Sequence, residues 1–197
     1  MWYLFFKRGV DLILSLLMVL VFFPLMILIS IMIGLESGFD NVIFLQKRLG
    51  QKGKVFRIIK FKTLKSSFLK KDYIGHNNSE ETRIGSFLRK YSLDEIPQLF
   101  NVLSGNMSWV GPRPLPVEYG DYILSNYRQR LNVKPGLVCL THLNGRNLLN
   151  WKQKFQLDLE YIESANLRKD FFILSRIPTI ISKGEGSIIS PNLLNQQ

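Results

Sequence analysis

The chain has 197 residues, 26 Lys and Arg against 15 Asp and Glu, and a formal net charge of +11. That charge requires an anionic counterpart, but a hydrophobic content of 46% separates the chain from polar nucleic-acid binders and points to a membrane surface or a phosphorylated substrate. A single cysteine, Cys139, excludes an intrachain disulfide, and with only His76 and His142 beside it a Cys/His zinc site is excluded as well.

From Leu12 to Ile33 run 22 residues without a charge, about 33 Å as a helix at ~1.5 Å per residue and enough for a bilayer core. The stretch is too long for a signal-peptide core, and no small-residue cleavage site follows it. Lys7 and Arg8 precede it, and ten Lys or Arg with no acid lie between Asn41 and Lys71. Basic flanks on both sides each favour the cytoplasmic face. Pro24, near the middle, removes a backbone hydrogen bond and bends a helix. Two topologies follow from these features: a re-entrant helix that returns to the face it entered, and a kinked helix that spans. Lys7 and Asp11, four apart, predict a surface ion pair; the other reading of Lys7 is an anchor for lipid phosphate.

Residues 41–45 and 55–59 are β-prone and separated by Gly50 and Gly53, which predicts a hairpin. The polar stretch 66–81 reads as a loop. Short helices are predicted over 84–91 and 92–103, an extended proline-rich loop over 109–117, and helices over 118–131 and 150–164. Residues 167–182 are apolar with scattered basic side chains, suited to a membrane interface. The fold class expected is α+β, mainly helical: a membrane helix over residues 1–36 and one compact domain over 37–197 with a short hairpin and interfacial amphipathic helices.

Candidate chemistry gathers at Ser92-Leu93-Asp94-Glu95-Ile96-Pro97. Ser-x-x-Glu is a capping-box pattern, which accounts for Ser92 and Glu95 without any function. It does not account for Asp94. Adjacent carboxylates repel and raise each other's pKa unless cations such as Arg83, Arg89 or Lys90, or a divalent metal, neutralise them. Mg²⁺ typically takes one or two carboxylates plus phosphates and water; a carboxylate can also hold a phosphoryl group covalently. Arg113, between Pro112 and Pro114, is a guanidinium on a stiff loop suited to phosphate, or else a solvated surface residue. Asn144-Gly145-Arg146-Asn147 is a turn that can bring Arg146 to a second phosphate. Lys60 and Lys62 lie on a basic, apolar strip that faces either solvent or anionic headgroups.

The ordered set of these pieces resembles one family, the small monotopic phosphoglycosyl transferases, also called bacterial sugar transferases. The resemblance runs through Lys7-Arg8-x-x-Asp11, Gln46-x-Arg48-x-Gly50, Phe56-x-x-x-Lys60-Phe61-Lys62-Thr63, Arg83-x-Gly85, Ser92-Leu93-Asp94-Glu95-x-Pro97-Gln98-Leu99, Gly105-x-Met107-Ser108-x-Val110-Gly111-Pro112-Arg113-Pro114, Pro135-Gly136 and Asn144-Gly145-Arg146-Asn147, with Asp158 and Asp170 at positions where the family tends to have aspartates. It implies an enzyme of the bacterial inner membrane, its domain on the cytoplasmic face, that moves a sugar-1-phosphate from a UDP-sugar to polyprenyl phosphate and releases UMP. Asp94 would be the nucleophile, Glu95 its partner and Mg²⁺ the cofactor, held at Asp94. Lys60, Lys62, Arg89, Arg113, Asn144, Arg146 and Asp158 are the substrate-binding residues so implied. Lys7, Arg8 and Pro24 would set the membrane helix. The bilayer is an expected partner, nucleic acid is not, and a homodimer is left open. Two departures stand out: Phe23 where the family has Ser before the proline, and Leu137–His142 in place of a loop that usually reads Ile-Thr-Gly-Trp-Ala-Gln. The competing reading is a catalytically silent membrane scaffold for anionic lipids or glycan-assembly partners.

Overall fold

The computed structural model describes residues 2–65, 80–145 and 148–182. Most of the stretch predicted as a loop at 66–81, and Arg146, lie outside the described residues. Helix α1 (Trp2–Ser37) is one continuous helix with Pro24 inside it. Leu- and Met-rich sequence favours the helix, and Gly38, at φ 90, ends it with its N–H on the Gly34 carbonyl at 2.9 Å. Of the uncharged stretch, only Ser15, Met26, Ile29 and Ile33 are buried; Val19 and Leu25 are partly buried against the domain, and most of the other apolar side chains are exposed.

The domain grips α1 at two places. Near its start, the Tyr3 hydroxyl and the Lys7 ammonium donate to Asp170 at 2.9 and 2.6 Å, and Arg8 donates to the Val102 and Leu103 carbonyls at 2.7 and 2.9 Å. Asp11 accepts from the Trp109 backbone N–H at 3.2 Å, and Ser15 from the Trp109 indole N–H at 2.8 Å. Near its end, Met26, Ile29 and Ile33 pack with Phe61 and Leu88, and the Glu36 carboxylate accepts from the Arg83 and Ile84 N–H groups at 2.8 and 3.2 Å. The Lys7–Asp11 pair predicted from spacing does not form. An exposed i,i+4 pair contributes only a few tenths of a kcal/mol, and both side chains find buried partners in the domain.

Strands β1 (Ile43–Leu49) and β2 (Val55–Phe61) form the antiparallel hairpin, in register from Ile43↔Phe61 to Leu49↔Val55. Phe56 and Ile58 pack against Val102 and Met107. Helix α2 (Arg83–Lys90) starts at Thr82, whose side chain accepts from the Gly85 N–H. The single helix expected over 92–103 is instead a 3₁₀ turn, Leu93–Gln98, followed by α3 (Leu99–Leu103). Pro97 has no N–H and restricts the residue before it, so a regular α-turn cannot run through. Strand β3 (Ser108–Val110) pairs in parallel with β4 (Gly136–Val138), a contact the sequence did not suggest. The helix expected over 118–131 is broken at Tyr127 into α4 (Gly120–Asn126) and a 3₁₀ turn, Arg128–Asn132. Helix α5 (Trp151–Ser164) opens with a capping box between Asn150 and Gln153. Helix α6 (Leu167–Ser182) buries Ile173 and exposes Phe171 and Phe172. The architecture is mostly helical, with two small sheets that carry the site.

Candidate active site

Side chains alternate along a strand, so Phe44, Gln46 and Arg48 share one face of β1, and Lys60 stands opposite Phe44 on β2. Against this face the chain leaves α2 through Ser92, which takes the left-handed conformation at φ 56, uncommon for a residue with a Cβ. The 3₁₀ turn that follows aims Asp94 and Glu95 at the hairpin. The capping box is absent. The Ser92 side chain caps nothing, and the Glu95 carboxylate turns to Lys60 at 2.6 Å and to Arg113 at 3.4 Å. Charged partners outbid a neutral backbone N–H for a carboxylate.

The two carboxylates therefore have different circumstances. Burial pushes Glu95 up, but Lys60 and Arg113 outweigh it and hold its carboxyl well below the usual range. Asp94 is 8% exposed, sits 3.9 Å from the Lys60 ammonium, and accepts no hydrogen bond among the described residues. Burial, opposed by Lys60 and assisted by the Glu95 charge, raises it from 3.8 to about 6. Both line a cavity of about 230 Å³ together with Arg48, Lys60, Lys62, Arg89 and Arg113. Five cations against two carboxylates leave a positive excess that a phosphate-rich ligand would balance.

Arg113 is aimed by a clamp on its own backbone. Its carbonyl accepts from the Arg130 guanidinium at 3.0 Å, and Arg130 pairs with Asp158 at 2.7 Å, both side chains buried. The next carbonyl, Pro114, accepts from Arg48 at 3.0 Å. With prolines on both sides, the loop leaves Arg113 little freedom except at its tip, which is half-exposed and lies 3.2 Å from His142 Nε2. Burial, with the Arg113 charge adding to it, brings Arg48 down to about 10.

A family model described as bacterial sugar transferase matches residues 2–184. The chain belongs to that family. Among its relatives, an uncharacterised sugar transferase of Haemophilus influenzae is 30% identical over 92% of this chain and 42% of its own length. The undecaprenyl-phosphate galactose phosphotransferase of Salmonella typhimurium is 31% identical over 93% of this chain and 42% of its own. The UDP-glucose:undecaprenyl-phosphate glucose-1-phosphate transferase of Caulobacter vibrioides is 33% identical over 89% of this chain and 70% of its own. The chain thus spans less than half of the first two.

Within this sugar transferase, Lys60, Lys62, Arg89, Asp94, Glu95 and Arg113 come together around one cavity. Arg89 also pairs with Glu81 at 3.1 Å. Asp158 stands behind the cavity, facing Arg130. Asn144 is exposed, with its amide on the Leu140 carbonyl at 2.9 Å. Lys7 and Arg8 turn into the domain. Three side chains at the site went unrecognised as such in the sequence. Arg48 carried a signal, since residues 44, 46 and 48 have strand periodicity. His142 and Arg130 carried none in a single sequence.

Proposed function

We propose that this bacterial sugar transferase moves a sugar-1-phosphate from a UDP-sugar to a polyprenyl phosphate through a covalent intermediate on Asp94. The observation that carries the reading is the division between the two carboxylates: Glu95 takes the close contacts of Lys60 and Arg113, while Asp94, 3.9 Å from Lys60, accepts no hydrogen bond among the described residues and lines a cation-rich cavity. A carboxylate raised to about 6 is more basic than a free one and still ionised at neutral pH.

In the first step an Asp94 oxygen attacks the β-phosphorus of the donor. The bond from that phosphorus to the bridging oxygen breaks, and UMP leaves with the electron pair. In the second step an oxygen of the lipid phosphate attacks the same phosphorus, the acyl phosphate bond breaks, and Asp94 returns as carboxylate. No proton need move in either step. Arg113, held by Arg130 and Arg48 through the loop backbone, meets the phosphate charge in a fixed position. Lys60, Lys62 and Arg89 supply the remaining positive field.

Among the described residues no three acidic, His or Cys side chains gather to hold a metal. The cavity does suit Mg²⁺, which binds proteins through one or two carboxylates and takes its other ligands from phosphates and water. Asp94 would hold it there, and the ion would supply charge neutralisation for the diphosphate.

The same reading takes α1 as re-entrant and the domain as lying on the cytoplasmic face. In its support, the polar domain holds α1 both at Ser15 and at Met26. Met26 follows Ser15 by eleven positions, about 16 Å of helix at ~1.5 Å per residue, whereas a hydrocarbon core is about 30 Å thick. Phe171 and Phe172, exposed on α6 beside Arg168, Lys169 and Arg176, suit a helix lying at the interface. The test is release of UMP from a panel of UDP-sugars, with polyprenyl phosphate and Mg²⁺ present. Turnover is expected for at least one donor and none with Asp94→Asn; turnover retained in that variant defeats the assignment.

A further inference from the structure

A second cavity of about 250 Å³ lies at the head of α1 and shares no lining residue with the first. Tyr3, Leu4, Lys7, Arg8 and Asp11 form one wall; Ser108, Val110, Val133 and Lys134 form another. Two polar groups in it lack partners among the described residues. The Ser108 hydroxyl is buried, 1% exposed, and makes no hydrogen bond. The Lys134 ammonium forms no hydrogen bond or ion pair. A buried hydroxyl without a partner is destabilising, and two neighbouring cations repel.

Arg8 and Lys134 converge. Their side-chain nitrogens lie 3.4 and 3.6 Å from the point a Cβ on Gly105 would occupy, and Arg8 has no carboxylate in ion-pair reach among the described residues. Burial and the Arg8 charge push the Lys134 ammonium down, and the Asp11 charge only partly opposes them. Lys7 is already neutralised by Asp170, and Asp11 is held by the Trp109 N–H. Asp11, the carboxylate in this lining, makes no ion pair with Lys134 among the described residues, and the Ser108 hydroxyl still has no acceptor. Leu4, Val110, Val133 and Ala165 give the lining an apolar part, and Trp2, Phe5 and Phe6 on the same first turns are 79%, 77% and 53% exposed. A phosphate with hydrocarbon attached matches both halves: an anionic head between Lys134 and Ser108, and chains along the exposed aromatic turns.

We propose that this cavity binds the phosphate headgroup of an anionic bilayer lipid, at a site separate from the catalytic one. The inference rests on the membrane placement argued above but not on the transfer reaction.

The experiment is native mass spectrometry of the full chain released from micelles doped with phosphatidylglycerol or phosphatidylcholine, for the wild type, Lys134→Met and Ser108→Ala. Wild type is expected to retain one phosphatidylglycerol and no phosphatidylcholine. Lys134→Met is expected to lower retention about tenfold, with Ser108→Ala intermediate and UMP release unchanged in both. Equal retention in Lys134→Met and wild type overturns the proposal. So does inorganic phosphate binding at this site without any retained lipid. Vesicle flotation run alongside separates the two readings: a chain that floats but retains no phosphatidylglycerol sinks this site and leaves the membrane placement standing. Unchanged thermal unfolding of the variants excludes a loss of fold as the cause.

Discussion

Asparagine at position 94 separates a catalytic carboxylate from a structural one, because the two respond to substitution with opposite signs. A carboxylate whose ion partners hold its pKa below the usual range, as Lys60 and Arg113 hold Glu95, stabilises the fold as an anion, and the fold loses stability without it. Asp94 is raised instead, from 3.8 to about 6, chiefly by burial. Between those pH values the folded chain binds more protons than the unfolded chain at this group, so stability falls as pH rises from about 4 to about 6, and the full cost stands at neutral pH. Roughly two pKa units correspond to about 3 kcal/mol. Part of this is lost in the variant, because the Asn amide is itself buried and polar, and Lys60 keeps only Glu95. A net gain of about 1–3 kcal/mol is expected for Asp94→Asn, which in a chain of this size raises Tm by roughly 2–12 °C. UMP release should fall by about 10³-fold or more, the scale of losing a nucleophile. Thermal unfolding followed by tryptophan fluorescence at pH 7.5 and at pH 5, beside the turnover assay, measures both. The gain in Tm should shrink at pH 5, where much of the wild-type Asp94 already carries a proton. A variant that melts several degrees lower at pH 7.5 while keeping turnover would make Asp94 a structural partner of Lys60 and refute the reasoning.

The rate of donor cleavage should follow deprotonation of Asp94, rising with pH through about 6 and lying about tenfold below its plateau at pH 5. Glu95→Gln removes a charge that raises Asp94 and frees Lys60 for it, so the acidic limb should move to lower pH; a pH–rate profile of the variant checks the sign. Arg113→Lys keeps the charge but loses the planar fork, and initial-rate kinetics should show kcat/KM for the donor down by roughly 10–100-fold. Asp158→Ala leaves Arg130 buried without a counter-ion, at a cost of about 3–5 kcal/mol, read as a Tm drop of roughly 6–20 °C. The Arg130→Met, Asp158→Leu double variant should regain most of that Tm yet keep a raised KM for the donor, since the Arg113 carbonyl would still be unheld.

How far the sequence could be read depended on whether the information was local. The hairpin was legible because β-prone runs bounded by Gly50 and Gly53 encode it within twenty residues. The chemistry of Asp94 and Glu95 was legible from their adjacency, but their local structure was not: a capping box and a regular helix were the ordinary reading. The left-handed Ser92, together with Pro97 and the charged pull of Lys60, overrode it. Long-range polar pairs were invisible. Asp158 was noted by position, yet its partner Arg130 lies 28 residues away in a turn that the expected helix 118–131 would have placed differently. Lys7 joins Asp170 across 163 residues, and nothing in either neighbourhood announces the other. The parallel pairing of β3 and β4, three residues each, is too short to leave a periodicity.

Trp109 links the apolar helix to the phosphate-facing loop. Its backbone and indole N–H groups both donate into α1, to Asp11 and Ser15. Through β3 it leads directly into Gly111-Pro112-Arg113-Pro114. The parallel partner β4 holds that strand from the other side, with the Gly111 N–H on the Val138 carbonyl at 3.0 Å and the Gly136 N–H on the Pro112 carbonyl at 2.9 Å. A vertical shift of α1 would therefore have to break Trp109's two bonds or drag β3 and the Arg113 loop with it. Buried hydrogen bonds without replacement partners cost about 1–3 kcal/mol each, so the loop moves with the helix. In the proposed membrane placement the depth of α1 would be fixed by where its outward apolar face ends, because exposing those side chains to water costs about 25 cal/mol per Å². The height of Arg113 in that placement is set by the same hydrophobic balance that would seat the helix, through the contacts that run from Ser15 through Trp109 and β3 to the Arg113 loop.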